Sequence, residues 1–387
     1  MRGKDINFAS ITQKILNLQS PGPGHSCHMQ CLPIPAALTA GPLQEMIADS
    51  IILNDTFRFE AGGALDGMTV VFHKSMDEYD GKTRVLWICH ALTANSDAEE
   101  WWPQLVGPGK LFDTRKYFVV CVNVPGSPYG TTGPSSIDPS TGKPYFLTFP
   151  KITVRDMVRA MIEVRKHLGI RQIDLLIGSS IGGFQAVEWA VMEPGAVRHL
   201  VLMATDVRVS PWMTAWCESQ RMALEADQTF REAASLEGGD AGMRCARAQA
   251  LISYRSYEGY CRTQSEPDPD TLFAERAASY QRYQGEKLSR RFDAYSYYYL
   301  CNALDSHNVG RGRGGVGKAL SAITAQTTVI TIDSDFLFPA AAMQRWAPLI
   351  PGARCTGISS AFGHDGFLLE KEQVEDIIGP VIAGLSL

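Results

Sequence analysis

Ile173-Asp174-Leu175-Leu176-Ile177-Gly178-Ser179-Ser180-Ile181-Gly182-Gly183-Phe184 is the stretch whose reading decides the fold. Ile173–Ile177 is a short, almost wholly apolar run, the composition of a strand buried on both faces. From Phe184 to Met192 the pattern is helical. Between them Gly178-Ser179-Ser180-Ile181-Gly182 spells G-x-S-x-G at a strand-to-helix turn, the setting of a nucleophile elbow. A serine on such a turn sits on strained backbone, and Gly178 and Gly182 keep Cβ atoms away from it. Ser180 Oγ would then project above the sheet at a helix N-terminus, where developing negative charge is favoured.

Outward from that turn, the same kind of apolar run recurs at Arg84 to Cys89, Phe118 to Asn123, Leu200 to Ala204, Thr328 to Ile332 and Arg354 to Ile358. A helix is expected over Val154 to Leu168. Thr153 and Asp156 give a capping-box-like start, the apolar spacing is mainly three or four, and Gly169 stops it. Strands alternating with helices argue an α/β protein with a mostly parallel sheet. Residues 49–207 read as the first part of that core and 311–387 as the second.

Residues 208–310 break the alternation. They are rich in Met, Ala, Gln, Arg and Tyr and read as a helical insertion between two late strands, a lid. Its Tyr295-Ser296-Tyr297-Tyr298-Tyr299 tract is expected to pack between helices, and Arg311-Gly312-Arg313-Gly314-Gly315 to form a loop. Residues 1–48 read as a partly disordered extension, marked by Ser20-Pro21-Gly22-Pro23-Gly24 and by Pro33, Pro35 and Pro42. Within it His25, Cys27, His28 and Cys31 lie close together, but no second ligand pair follows at roughly 12 to 20 residues, so no metal is expected.

Composition narrows the function classes. Of the 387 residues, 45% are apolar and 20% charged, as in a globular protein, and the net charge of −5 gives no general pull toward nucleic acid or anionic lipid. No apolar run approaches the roughly 20 residues that cross a bilayer. The nine cysteines are an odd number. With no secretory h-region after Met1, they suggest a reduced, cytoplasmic protein.

A serine hydroxyl needs a base beside it, and in this kind of sheet the partners arrive in the order Ser, acid, His. Thr328–Ile332 runs into Asp333-Ser334-Asp335, and the next strand into Gly363-His364-Asp365. Both loops lie just past strand C-termini, where open α/β sheets place their sites. His364 is the better base than His90 or His307. On spacing the acid is Asp335 or Asp333, with Asp335 further into the loop. Oxyanion donors are expected from the N–H of Ile181 and, in the loop after an early strand, of Leu92.

Several segments together resemble one family, the homoserine O-acetyltransferases of the α/β-hydrolase superfamily. They are His90-Ala91-Leu92-Thr93, Tyr129-Gly130-Thr131-Thr132-Gly133-Pro134, Thr153-Val154-Arg155-Asp156, the elbow with Gln185 to Ala190, Arg311 to Gly314, Asp333 to Pro339 and Gly363-His364-Asp365. The resemblance implies an α/β-hydrolase fold, the triad Ser180, Asp335 and His364, and transfer of an acetyl group from acetyl-CoA to L-homoserine. It implies that Arg247 and Tyr254 hold the acceptor's carboxylate and Asp365 its ammonium. It implies a homodimer and no permanently bound cofactor. The chain departs from the family at Pro125, Pro128, Ile181 and Phe184. L-Serine as acceptor, succinyl-CoA as donor and simple ester hydrolysis stay open, because one methylene in a pocket is worth only about 1–3 kcal/mol.

Overall fold

The computed structural model describes residues 46–385. His25, Cys27, His28 and Cys31 therefore lie outside the described residues.

Eight strands form one sheet: β1 (Ile47–Ile52), β2 (Thr69–Lys74), β3 (Val85–Cys89), β4 (Phe118–Val122), β5 (Ile173–Ser179), β6 (Val197–Met203), β7 (Gln326–Ile332) and β8 (Arg354–Ile358). Their spatial order is β1-β2-β4-β3-β5-β6-β7-β8. β2 runs against both neighbours, and every pairing from β4 to β8 is parallel. The expected runs from β3 to β7 became strands because they bury both faces, whereas β8, at the other edge of the sheet, exposes Arg354 to Gly357. Trp87, Val120, Leu176 and Leu202 enter one apolar cluster, and Ile88, Cys121, Ile177 and Met203 enter another on the opposite side.

β1 and β2 were not expected as strands. β1 lies at the sheet edge and alternates exposure along its length, so it has no continuous apolar run. It begins at Ile47, inside the stretch assigned to the N-terminal extension.

The expected helix is α1 (Val154–His167), with both halves of the Thr153/Asp156 capping box formed. It packs with α2 (Ile181–Met192) on one face of the sheet, where α8 (Ala340–Trp346) also lies. α9 (Lys371–Gly384) covers the other face through Val374, Ile378 and Ile382. Among the described residues no helix is long and apolar enough to cross a membrane.

Between β6 and β7 the chain forms α3 (Pro211–Ala226), α4 (Asp240–Tyr254), α5 (Tyr257–Gln264), α6 (Arg276–Ser289) and α7 (Ala294–Asp305). The two ends of this insertion are joined. Val209 N–H donates to His307 O at 2.9 Å and Val309 N–H to Val207 O at 3.1 Å, an antiparallel bridge at Arg208 and Asn308. The tyrosine tract packs as expected. Tyr295, Tyr297 and Tyr299 are buried, and Tyr297 OH donates to Gln220 Oε1 at 2.6 Å.

The Arg311–Gly315 segment is a loop tied to the core by charge. Arg313 meets the buried Glu188 at 2.6 Å and Arg311 meets Glu60 at 2.9 Å, while Arg155 of α1 bonds both carboxylates at 3.0 Å. Two guanidiniums on one buried carboxylate keep Glu188 paired, which burial of a charge requires.

Candidate active site

Ser180 sits between β5 and α2 with φ +57° and ψ −128°. A non-glycine residue there costs on the order of 1–3 kcal/mol, so its surroundings must over-determine it. Ser180 N–H lies 3.1 Å from both Met203 O and Ala204 O, and its carbonyl accepts from Gly183 N–H at 2.9 Å and from the Thr205 hydroxyl at 2.8 Å. The flanking glycines are needed for space. A Cβ on Gly178 would lie 2.0 Å from Gly182 O, one on Gly182 would lie 2.2 Å from Cys89 O, and one on Gly183 would meet Thr205 Oγ1 at 2.4 Å. Thr205 was missed from the sequence, because a threonine one turn past a strand carries no pattern of its own.

His364 is buried in a short turn after β8, and its Nδ1 lies 2.8 Å from Asp335 Oδ2. Asp335 comes from the loop after β7. Its other oxygen, Oδ1, accepts from the N–H groups of Leu337 and Phe338, both at 2.9 Å. Of the two aspartates, Asp335 is the one that meets His364. Asp333 accepts from Ser360 N–H at 3.0 Å and from the Ser359 hydroxyl at 2.7 Å, and so ties the ends of β7 and β8 together. Burial of His364 opposes a charged ring, but the negative charge of Asp335, its hydrogen bond and the charge of Asp365 outweigh that. The ring holds its proton more tightly than a free histidine.

The competing histidines are occupied elsewhere. His90 Nδ1 bonds Ala91 O at 2.8 Å, and burial lowers the ring's pKa to about 4. His307 Nε2 bonds Asp206 O at 3.0 Å, and burial lowers its pKa to about 3. His307 also stacks on Phe184 with centroids 4.0 Å apart. Phe184 thus fills a buried slot behind the elbow, between His307 and Phe338.

Cys89 pairs with Gly178 across the sheet, and the space beside Gly182 is filled by the carbonyls of Cys89 and His90. The loop carrying Leu92 therefore begins against the elbow that carries Ile181. Ile181 is the first residue of α2 and its N–H has no intrahelical acceptor. Arg291, beyond α6, donates to Thr93 O at 2.7 Å and also to Tyr129 OH, which ties the insertion to that loop.

The insertion brings the other named residues to the histidine. The Tyr254 ring lies 5.7 Å from the His364 ring, and the Arg247 guanidinium lies 5.4 Å from the Tyr254 centroid. Arg247 Nε is buried without a protein partner. Asp365 is paired: its Oδ2 lies 3.2 Å from an Arg255 nitrogen. Among the described residues no group of three or more His, Cys, Asp or Glu could hold a metal ion.

A strained serine on an elbow, with a histidine–aspartate pair delivered from two later strand ends, is compatible with an α/β-hydrolase-type protein, and residues 84–371 match the family model of the alpha/beta hydrolase fold. The chain is 39% identical over 334 residues to the homoserine O-acetyltransferase of Cyclobacterium marinum, covering 86% of this chain and 95% of that one. It belongs to the homoserine O-acetyltransferase family. The fold is shared with a crystal structure of homoserine O-acetyltransferase from Bacillus anthracis, at TM-score 0.81 and 24% identity over 88% of this chain and 98% of the other. It is shared equally with esterase E22, at TM-score 0.79 and 23% identity over 87% and 100%.

Proposed function

We propose that the protein transfers an acetyl group from acetyl-CoA to the hydroxyl of L-homoserine by way of an acetyl-serine, giving O-acetyl-L-homoserine, a precursor of methionine. Membership of the homoserine O-acetyltransferase family supports the reaction. The 2.8 Å contact between His364 and Asp335, at the strand ends that follow the elbow, carries the assignment of residues.

Nδ1–H of His364 is held by Asp335, which leaves Nε2 free to accept a proton. Ser180 gives its proton to Nε2 and attacks the thioester carbon. The N–H groups of Leu92 and Ile181 stabilise the oxyanion. The C–S bond breaks, and the sulfur of coenzyme A leaves with the proton from His364. The hydroxyl of homoserine then gives its proton to Nε2 and attacks the acetyl carbon, and Ser180 Oγ departs with that proton. Arg247 offers its unpaired Nε–H to the acceptor's carboxylate beside Tyr254, and Asp365 offers charge to its ammonium. The helical insertion acts as a lid that keeps water from the acetyl-serine.

No bound cofactor is required. The seven described cysteines are all free, which suits a reducing cytoplasm. Trp212, Met222, Ile252 and Tyr257 expose apolar surface on α3 to α5 and support pairing of two subunits, which sedimentation at micromolar concentration tests.

Release of free thiol, measured for acetyl- and succinyl-CoA against homoserine, serine and water, tests the reaction. Acetyl-CoA with homoserine is expected to be fastest. Faster turnover with water alone would make the protein an esterase, and a faster succinyl-CoA or serine reaction would change the donor or acceptor.

A further inference from the structure

The turn between α4 and α5 is fitted to the loop that carries His364. The Ser256 hydroxyl donates to Ala361 O. A Cβ on Gly363, whose φ is +65°, would lie 2.7 Å from Ser256 N and 3.0 Å from Tyr254 O. A Cβ on Gly259 would lie 2.0 Å from Ala361 O. At the centre of this fit, Arg255 reaches Asp365 Oδ2 at 3.2 Å, with both side chains about four-fifths buried (21% and 19% exposed).

Arg255 comes closest to Asp365 at Oδ2, and a carboxylate can accept at both of its oxygens. Asp365 follows His364 directly, and Arg255 follows Tyr254, whose ring lies against the histidine. A carboxylate at this place can recognise a cation only if it is held still, since a small displacement of a binding group costs far more than its hydrogen bond alone suggests.

We propose that Arg255 is a positioning residue for the acceptor. It holds Asp365 at Oδ2 so that Oδ1 meets the ammonium of an amino-bearing alcohol, and thereby sets the preference for such an alcohol over one without the amine. The proposal rests on the acyl-transfer reading given above. It assigns Arg255 no contact with the acetyl donor.

The test compares the full-length wild type with Arg255→Met, Arg255→Lys and Asp365→Asn. Acetyl-enzyme formation is followed by mass spectrometry, and transfer is measured to homoserine and to 4-hydroxybutyrate, the same alcohol without its amine. For Arg255→Met, KM for homoserine is expected to rise about 30-fold, with kcat and acetyl-enzyme formation within about threefold. Selectivity for homoserine over 4-hydroxybutyrate falls by the same factor. Arg255→Lys recovers part of it, and Arg255→Met adds nothing in an Asp365→Asn background. Unchanged selectivity, a lower KM, or acetyl-enzyme formation that falls as far as transfer overturns the assignment. A lower KM would mean that Arg255 blocks Asp365, and a matched fall that it only supports the histidine loop. Wild type that passes its acetyl group to water alone overturns the acyl-transfer reading and this assignment with it. Should Arg255→Met fail to fold, the Arg255→Lys and Asp365→Asn arms read the same split.

Discussion

The sheet and the helical insertion hold their residues in place by different means. Around Ser180 the constraint is in the backbone: carbonyls fill the space beside Gly178 and Gly182, and a positive φ is locked by bonds from β6. In the insertion side chains add to such backbone contacts as that of Gly259 on Ala361: the Tyr297 hydroxyl on Gln220, Arg255 on Asp365, Arg291 on Thr93. On the proposed reading the chemistry sits on the strand ends, while recognition is shared between Arg247 and Tyr254 of the insertion and Asp365 of the core. Backbone constraints tolerate no substitution, whereas side-chain constraints can be retuned one at a time.

The sharpest break in this comparison removes chemistry and leaves the fold. Asp335→Asn should lower kcat by about 10⁴-fold, because the amide holds the wrong tautomer of His364. Asp333→Asn, two residues away, should change kcat by less than about threefold, since its partners are Ser359 and Ser360. Steady-state rates on the two variants check this, and equal losses would return the choice of acid to open.

The next break removes the fold and with it the chemistry. Gly182→Ala forces a Cβ to within 2.2 Å of Cys89 O, so it should destabilise the protein by about 3 kcal/mol. Denaturant unfolding measures it. The insertion offers the matching contrast. Tyr297→Phe loses one buried hydrogen bond and leaves Gln220 wanting, at a cost of about 1–2 kcal/mol, with kcat nearly unchanged.

The smallest effect is in pH. His364 must be neutral to act as base, and its proton is held more tightly than in a free histidine, so kcat/KM should rise with pH through an inflection above 6.5. Asp335→Asn should move that inflection down. For stability the sign is opposite. A histidine with a raised folded pKa stabilises the fold below its unfolded pKa, and this contribution is lost as pH rises through the folded value. A pH–rate profile and a series of melting temperatures together test both.

Much of the core was legible in the sequence. Strands buried on both faces read as continuous apolar runs, and the elbow, the capping box at Thr153 and the two loops past β7 and β8 stood where spacing put them. β1 and β2 were not legible, because strands whose side chains alternate between buried and partly exposed share their pattern with any mixed segment. Spacing did not separate Asp333 from Asp335, since both follow one strand and only their hydrogen bonds distinguish them. Thr205 and Arg255 carry no local signal at all. Their partners lie 25 and 110 residues away, and such pairings are set by tertiary packing.

The insertion leaves and re-enters the core at a single pair of hydrogen-bonded segments, 207–209 and 307–309. A cassette with coincident ends can be cut out and replaced by recombination without altering the path of the sheet. Yet its α4–α5 turn is moulded to Gly363 and Ala361, which belong to a distant segment of the core. A graft from a relative would therefore work only when the short histidine-bearing segment travels with it, so that the two pieces behave as one unit of inheritance despite being separated in the chain.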